Sequence, residues 1–131
     1  MSRAIAVDTS VIVAISLQEP DFHNYEELLE TTPELLMSAT TYVELGIVCA
    51  TRGIAEKAQK ILQTYGIQIV AFDEPMAAAA VEAFQRYGKG RHPAALNFGD
   101  CCSYALAKVR QIPLLFKGTD FSLTDIRRAL T

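Results

Sequence analysis

Four short, largely apolar runs punctuate this chain: residues 3–7, Leu35-Leu-Met37, residues 67–72 and residues 112–116. Between them lie longer segments with helical periodicity, bounded by Gly or Pro. Strands without polar alternation are buried on both faces. Buried strands that alternate with helices build a mostly parallel sheet with helices on either side. The expected fold class is therefore α/β, a three-layer arrangement around a central, mostly parallel sheet. In such sheets ligands gather beyond the carboxyl ends of the strands, so those ends are where function is sought.

Helix signals fill the gaps. Thr9–Leu17 reads as a short helix with a hydroxyl cap, broken at Glu19-Pro20-Asp21, and Asn24–Glu30 as a second, stopped near Pro33. Thr40 or Thr41 opens a helix that runs to Arg52, before Gly53; Ile54–Tyr65 follows, before Gly66. Their apolar stripes, Val43, Ile47 and Val48 on one and Ala58, Ile61 and Leu62 on the other, read chiefly as core. Pro75 suits a first helical turn before Ala77–Tyr87. Gly99–Gln111 is a helix, and Asp125–Leu130 a closing helical turn with Asp125 as its cap. Nothing resembles a linker or a repeat, so residues 1–131 are expected to form one domain.

Composition narrows the classes of function. At 50% hydrophobic and 21% charged residues, the chain has the apolar content for an ordinary globular core. No apolar run approaches the roughly 20 residues needed to span a bilayer, and the opening Met-Ser-Arg-Ala-Ile-Ala-Val-Asp is too short for a secretory signal. Cys49, Cys101 and Cys102 form no C-x-x-C pair and no histidine stands at ligand spacing, so they read as reduced core thiols. A cytoplasmic protein without membrane association is expected. A net charge of −3 excludes nucleic-acid binding by bulk charge. Any such function needs a local basic rim.

The carboxylates hold the functional signal. Asp8 ends the first apolar run, Glu44 is expected in the first turn of a helix, Asp100 follows Gly99 at another helix start, and Asp120 comes after the last apolar run. Each has a structural explanation by itself. Thr41-Tyr-Val-Glu44 has the form of a capping box, Asp100 complements a helix dipole, and Asp8 and Asp120 suit caps. As a set they point elsewhere. At about 4 Å and an effective dielectric near 20, each pair of carboxylates costs on the order of 4 kcal/mol. Protonation or a bound cation relieves that cost. Oxygen donors without Cys or His select Mg²⁺ or Mn²⁺. Such an ion activates water and neutralises phosphate charge.

The residues around these acids resemble a known family. Val7-Asp8-Thr9-Ser10, Thr41-Tyr42-Val43-Glu44, Leu96-Asn97-Phe98-Gly99-Asp100-Cys101 followed by Tyr104-Ala105-Leu106-Ala107, and Leu115-Phe116-Lys117-Gly118-Thr119-Asp120-Phe121 match, in order and spacing, the four acid motifs of PIN-domain ribonucleases of the VapC type. Those proteins are the toxin half of bacterial and archaeal toxin–antitoxin pairs. The resemblance covers nearly the whole chain. It implies a PIN-like fold and a Mg²⁺- or Mn²⁺-dependent endoribonuclease that leaves 5′-phosphate and 3′-hydroxyl ends. Asp8, Glu44, Asp100 and Asp120 would be its catalytic acids and metal ligands, some through waters. It further implies that Thr9 or Ser10 hydrogen-bonds in the site and that Asn97 orients an acid or the substrate. Thr119 departs from the pattern, since many relatives carry Asn or Asp there, and this bears on a second metal position. The implied partners are RNA, an antitoxin that inserts an Arg among the acids, and a second copy in a homodimer.

Basic groups for RNA are sought in residues 86–92, where Lys89 and Arg91 are candidate phosphate contacts and Tyr87 or His92 candidate stacking groups. A solvated loop after a helix end accounts for the same residues. Lys117 is a candidate for touching substrate or pairing with a carboxylate. Two other readings compete: a non-catalytic PIN-like module that binds RNA or protein, and a phosphoacceptor receiver-like signalling domain. The latter should carry an acidic pair after its first strand, where this chain has Asp8-Thr9-Ser10.

Overall fold

Strand β1 (Ala4–Val7) lies inside a four-stranded parallel sheet, flanked by β2 (Glu34–Ser38) and β4 (Leu114–Leu115), with β3 (Gln68–Val70) outside β2, in the order β3-β2-β1-β4. The computed structural model describes residues 3–130. Ile5 pairs with Leu35, and Val7 with Leu115. Strand order reverses between β1 and β4, and a switch point of this kind leaves a crevice at the carboxyl ends of the two strands. Asp8 and Phe116 emerge there, tied by the Asp8 N–H donating to the Leu115 carbonyl at 3.0 Å.

Among the described residues six helices cover the sheet: α1 (Thr9–Ser16), α2 (Phe22–Thr31), α3 (Ala39–Arg52), α4 (Ala55–Tyr65), α5 (Glu74–Tyr87) and α6 (Phe98–Arg110), with a 3₁₀ turn at Asp120–Leu123. Side chains alternate across each strand, which divides the core in two. Ile5, Val7, Leu35, Met37 and Leu115 pack with α1 to α4. Ala6, Leu36, Leu114 and Phe116 pack with α5 and α6. The result is the expected three-layer α/β fold. No helix is long and apolar enough to cross a membrane among the described residues.

The structure corrects several expectations. α3 begins at Ala39 because Ser38, at its N-cap, accepts the Thr41 N–H at 3.1 Å. Thr41-Tyr-Val-Glu44 is therefore no capping box, and Glu44 lies in the second turn. The buried face of α3 is Thr41, Leu45 and Cys49. Val43 and Ile47, read as core, are 59% and 62% exposed. α5 starts at Glu74, three residues earlier than expected, because Asp73 accepts the Met76 N–H at 3.2 Å and Pro75 fits the first turn. The closing helix does not form. The open edge of β4 takes that segment instead: Leu114 N–H donates to Arg127, and Ala129 N–H to Leu114, each at 2.9 Å. Asp125 is thus no helix cap. It accepts Tyr104 Oη–H at 2.6 Å and Lys108 Nζ at 2.8 Å.

Candidate active site

Asp8 is the centre of the site. It caps α1, and its Oδ2 accepts both the Ser10 N–H (3.1 Å) and the Ser10 hydroxyl (2.7 Å). Its Oδ1 accepts Ser103 Oγ–H from α6 at 2.5 Å. Ser10 Oγ in turn accepts the Lys117 N–H at 3.0 Å, which links the end of β1 to the segment after β4. Asp8 is buried, so these donors replace the water that would otherwise solvate its charge.

Glu44 reaches the same region from α3. Thr9 Oγ1 donates to its Oε1 at 2.8 Å. A Cβ on Gly99 would overlap the Glu44 carboxylate, so the glycine before Asp100 is what lets α3 and the start of α6 approach. Burial raises the Glu44 carboxyl, against the Thr9 hydrogen bond, and the charge on Asp8 raises it further.

Asp100 is the third residue of α6 and closes a capping box with Asn97. The Asp100 N–H donates to Asn97 Oδ1 at 2.9 Å, and the Asn97 N–H to Asp100 Oδ2 at 3.0 Å. The capping and site roles of Asp100 thus coincide. Its carboxyl is pushed from 3.8 to about 6. Burial is the main cause, opposed by the Asn97 N–H; the charges of Asp8, Asp120 and Glu44 add to it. Asp100 therefore senses the other three acids, which arrive from three separate stretches of sequence. Asp120 stands exposed at the first position of the 3₁₀ turn, with Thr119 before it, also exposed and making no side-chain cap bond.

The remaining candidates lie at the margin. Lys117 pairs with Glu19 at 2.9 Å rather than with any of the four acids. Among the described residues the other ion pairs involve Asp125 and Glu26, so no side-chain cation offsets this cluster. Residues 88–96 form a closed loop held by Lys89 N–H to the Leu96 carbonyl and Leu96 N–H to the Tyr87 carbonyl, both at 2.9 Å. Lys89 is exposed on it. Tyr87 is buried in the core and His92 Nδ1 accepts the Ala94 N–H, so these rings do not present stacking faces. The aromatic surface is elsewhere. Arg91 lies over Phe84 (5.7 Å to the ring centroid) and shares with Phe84, Val81 and Phe98 a recess of about 610 Å³ beside the start of α6.

The donor chemistry fits a hard divalent ion. All four donors are carboxylates, and among the described residues no ion pair is formed with any of them. Among the described residues, no three His, Cys, Asp or Glu side chains group tightly enough to grip one ion directly. Oxygen donors of this kind suit Mg²⁺, which retains waters and is held by one or two carboxylates.

Sequence reasoning passed over Ser103. Its signal was available: it stands three residues after Asp100, on the same helical face, in a segment otherwise read as apolar. Glu19, read only as part of a helix break, turned out to hold Lys117.

Comparison with known proteins assigns the chain to a family. The PIN domain family matches residues 5–126. Ribonuclease VapC42 of Mycobacterium tuberculosis is 47% identical over 129 residues, which is 95% of this chain and 98% of that protein. Ribonuclease VapC of Mycolicibacterium smegmatis is 45% identical over 125 residues, covering 93% and 97%. Among solved structures, Mycobacterium tuberculosis VapC20, described as a sarcin-ricin loop cleaving toxin, superposes with a TM-score of 0.75 at 20% identity, covering 97% of this chain and 99% of that one. VapBC2 of Rickettsia felis, solved with a promoter DNA fragment, gives 0.72 at 16% identity, covering 95% and 96%. These structures establish the fold. The chain belongs to the PIN-domain family, in its VapC branch.

Proposed function

We propose that this chain is a metal-dependent endoribonuclease and the toxin of a toxin–antitoxin pair. The observation that carries the reading is the contact geometry that ties Asp8 to α6 through Ser103 and sets the Glu44 carboxylate against Gly99, next to Asp100. The family membership and the naming of its relatives as ribonucleases support it. The receiver-like reading has no support here: β2 runs into Ser38 and Ala39, not an acid, and the sheet belongs to a PIN fold.

Asp8 and Asp100 would hold Mg²⁺ or Mn²⁺ directly, with Glu44 and Asp120 acting through waters. The ion would supply an activated water and charge neutralisation at the phosphate. The protein's own part is positioning. Ser10 and Ser103 fix Asp8, the Asn97 cap fixes Asp100, and Thr9 fixes Glu44. Asp120, exposed at the rim, is placed to meet solvent and substrate. The apolar, aromatic recess of Phe84 and Phe98, with the single cation Arg91 beside it, offers what a chain of net charge −3 needs locally: a phosphate contact and a sequence-tolerant stacking surface. Lys89 extends it.

Two surfaces suit protein partners. A groove of about 650 Å³ between α1, α2 and α4, lined by Ile15, Leu17, Ile61 and Tyr65 together with Glu26, Lys57 and Lys60, fits an amphipathic antitoxin segment. Exposed Val43 and Ile47 on α3 fit a homodimer contact. The test is direct: the purified chain should cut RNA to 5′-phosphate ends, stop in EDTA, and resume with Mg²⁺ or Mn²⁺. Intact RNA under all conditions, or cleavage that Asp100→Asn leaves unchanged, refutes the reading. A non-catalytic binding module would retain RNA without cutting it.

A further inference from the structure

A file of four hydroxyl groups runs through the wall of the acidic crevice and ends on Asp8. Thr40 Oγ1 lies 2.9 Å from Ser38 Oγ, Ser38 Oγ 2.9 Å from Thr41 Oγ1, Thr41 Oγ1 3.3 Å from Ser103 Oγ, and Ser103 Oγ 2.5 Å from Asp8 Oδ1. Ser38, Thr41 and Ser103 are 0%, 1% and 2% exposed, so bulk water does not compete for them.

The ionised carboxylate sets the direction of every proton. It can only accept. Ser103 therefore commits its single hydrogen to Asp8 and accepts from Thr41. Thr41 then accepts from Ser38, and Ser38 from Thr40. All four O–H dipoles point toward Asp8, and aligned chains polarise one another. On the other oxygen, Oδ2, both acceptor positions are filled by the Ser10 N–H and hydroxyl. A carboxylate has about four acceptor positions. Three are taken, and the free one is on Oδ1, beside Ser103.

We propose that Ser103, backed by Thr41 and Ser38, is a positioning residue that locks Asp8 so that Oδ1 alone is offered, as a one-oxygen ligand, to the divalent cation. None of the three touches substrate or ion. This inference rests on the metal-dependent nuclease reading. It deepens that reading by assigning the specific groups that hold its central acid.

The test is Mn²⁺ titration of the purified protein, following loss of the free-ion EPR signal, alongside kcat and KM for RNA and a thermal melt. Ser103→Ala should weaken Mn²⁺ binding about 10-fold or more, the range for removing a partner of a ligand. It should lower kcat more than it raises KM. Thr41→Val should weaken Mn²⁺ binding by a smaller factor, and Thr41→Ser, which keeps the hydroxyl, should restore it. Asp100→Asn, which lacks a proposed ligand, is the reference. A Ser103→Ala protein that binds Mn²⁺ with parental affinity overturns the proposal. So does a Thr41→Ser protein as impaired as Thr41→Val, because the role would then be packing. If Thr41→Val does not fold, Ser103→Ala decides alone. If the parent binds no Mn²⁺, or Asp100→Asn binds as tightly as the parent, the nuclease reading itself has failed and this inference falls with it.

Discussion

Replacing Asp100 with asparagine should make the metal-free protein more stable, and by an amount that depends on pH. The Asp100 carboxyl stands at about 6 in the fold against an ordinary 3.8. A raised carboxyl pKa means that the ionised form is less favourable in the fold than in the unfolded chain. Below the ordinary value the group is protonated in both states and contributes nothing. Between the two values the cost grows, and above the folded value it is fully present. At 1.36 kcal/mol per unit, a shift of this size is worth roughly 3 kcal/mol. Asparagine carries no charge and keeps an oxygen for the Asn97 N–H, whose loss of charge assistance is already part of that shift, and solvent screening of this partly exposed group removes roughly 1 kcal/mol. The net gain near pH 7.5 is then about 2 kcal/mol, or roughly 6 °C in Tm for a chain of this size. It should vanish near pH 4.

The assay is a melt of both proteins in EDTA across that range. Burial raises the Asp125 carboxyl, but Lys108, Tyr104 and Arg86 together bring it below the ordinary value, so its stabilisation is lost as pH falls. That contribution is common to both proteins and cancels in the difference. Adding Mg²⁺ should raise the parent's Tm and leave Asp100→Asn nearly unchanged. A difference that is absent at pH 7.5, or flat with pH, would refute the argument that uncompensated charge strains this crevice.

Asp8→Asn should behave in the opposite way, losing about 1–3 kcal/mol in a denaturant titration, because its NH2 either meets the Ser10 N–H and hydroxyl or faces Ser103, where the hydroxyl file must reverse. Gly99→Ala should swing the flexible Glu44 carboxylate aside, cut activity and cost only about 1 kcal/mol, chiefly through the lost Thr9 hydrogen bond; Glu44→Ala in the same chain should remove the crowding and not restore the activity. Lys117→Met should change stability by under about 1 kcal/mol, since its pair with Glu19 is partly exposed and screened by salt. Arg91→Ala and Phe98→Ala should raise KM for RNA with kcat little altered, and Arg91→Ala should also flatten the salt dependence of binding.

Much of the architecture was legible along the chain. Apolar strands between helical segments gave the parallel three-layer fold, and Asp8 and Asp100 announced helix starts that the structure contains. The failures were of two kinds. Helix boundaries shifted where a cap lay one step outside the expected run, as with Ser38 before α3 and Asp73 before α5. Faces and ends were misassigned where another element decided the outcome. Val43 and Ile47 have the right spacing for a core stripe, yet Leu45 and Cys49 are the side chains that meet the neighbouring helices. The segment after Asp125 has helical composition, yet the unpaired edge of β4 offers its backbone better partners.

The sequence by itself determined which residues are acids, their order, and the local signals that set them at strand ends and helix starts, because caps and periodicity act over a few neighbouring positions. Only the tertiary structure decided that Glu44 rests over Gly99, that Lys117 turns to Glu19, and that Ser103 supports Asp8. Those contacts join residues 55 to 98 positions apart in the chain. No local rule reaches so far. The strand order that brings β1 and β4 together is what creates the crevice in which those residues meet.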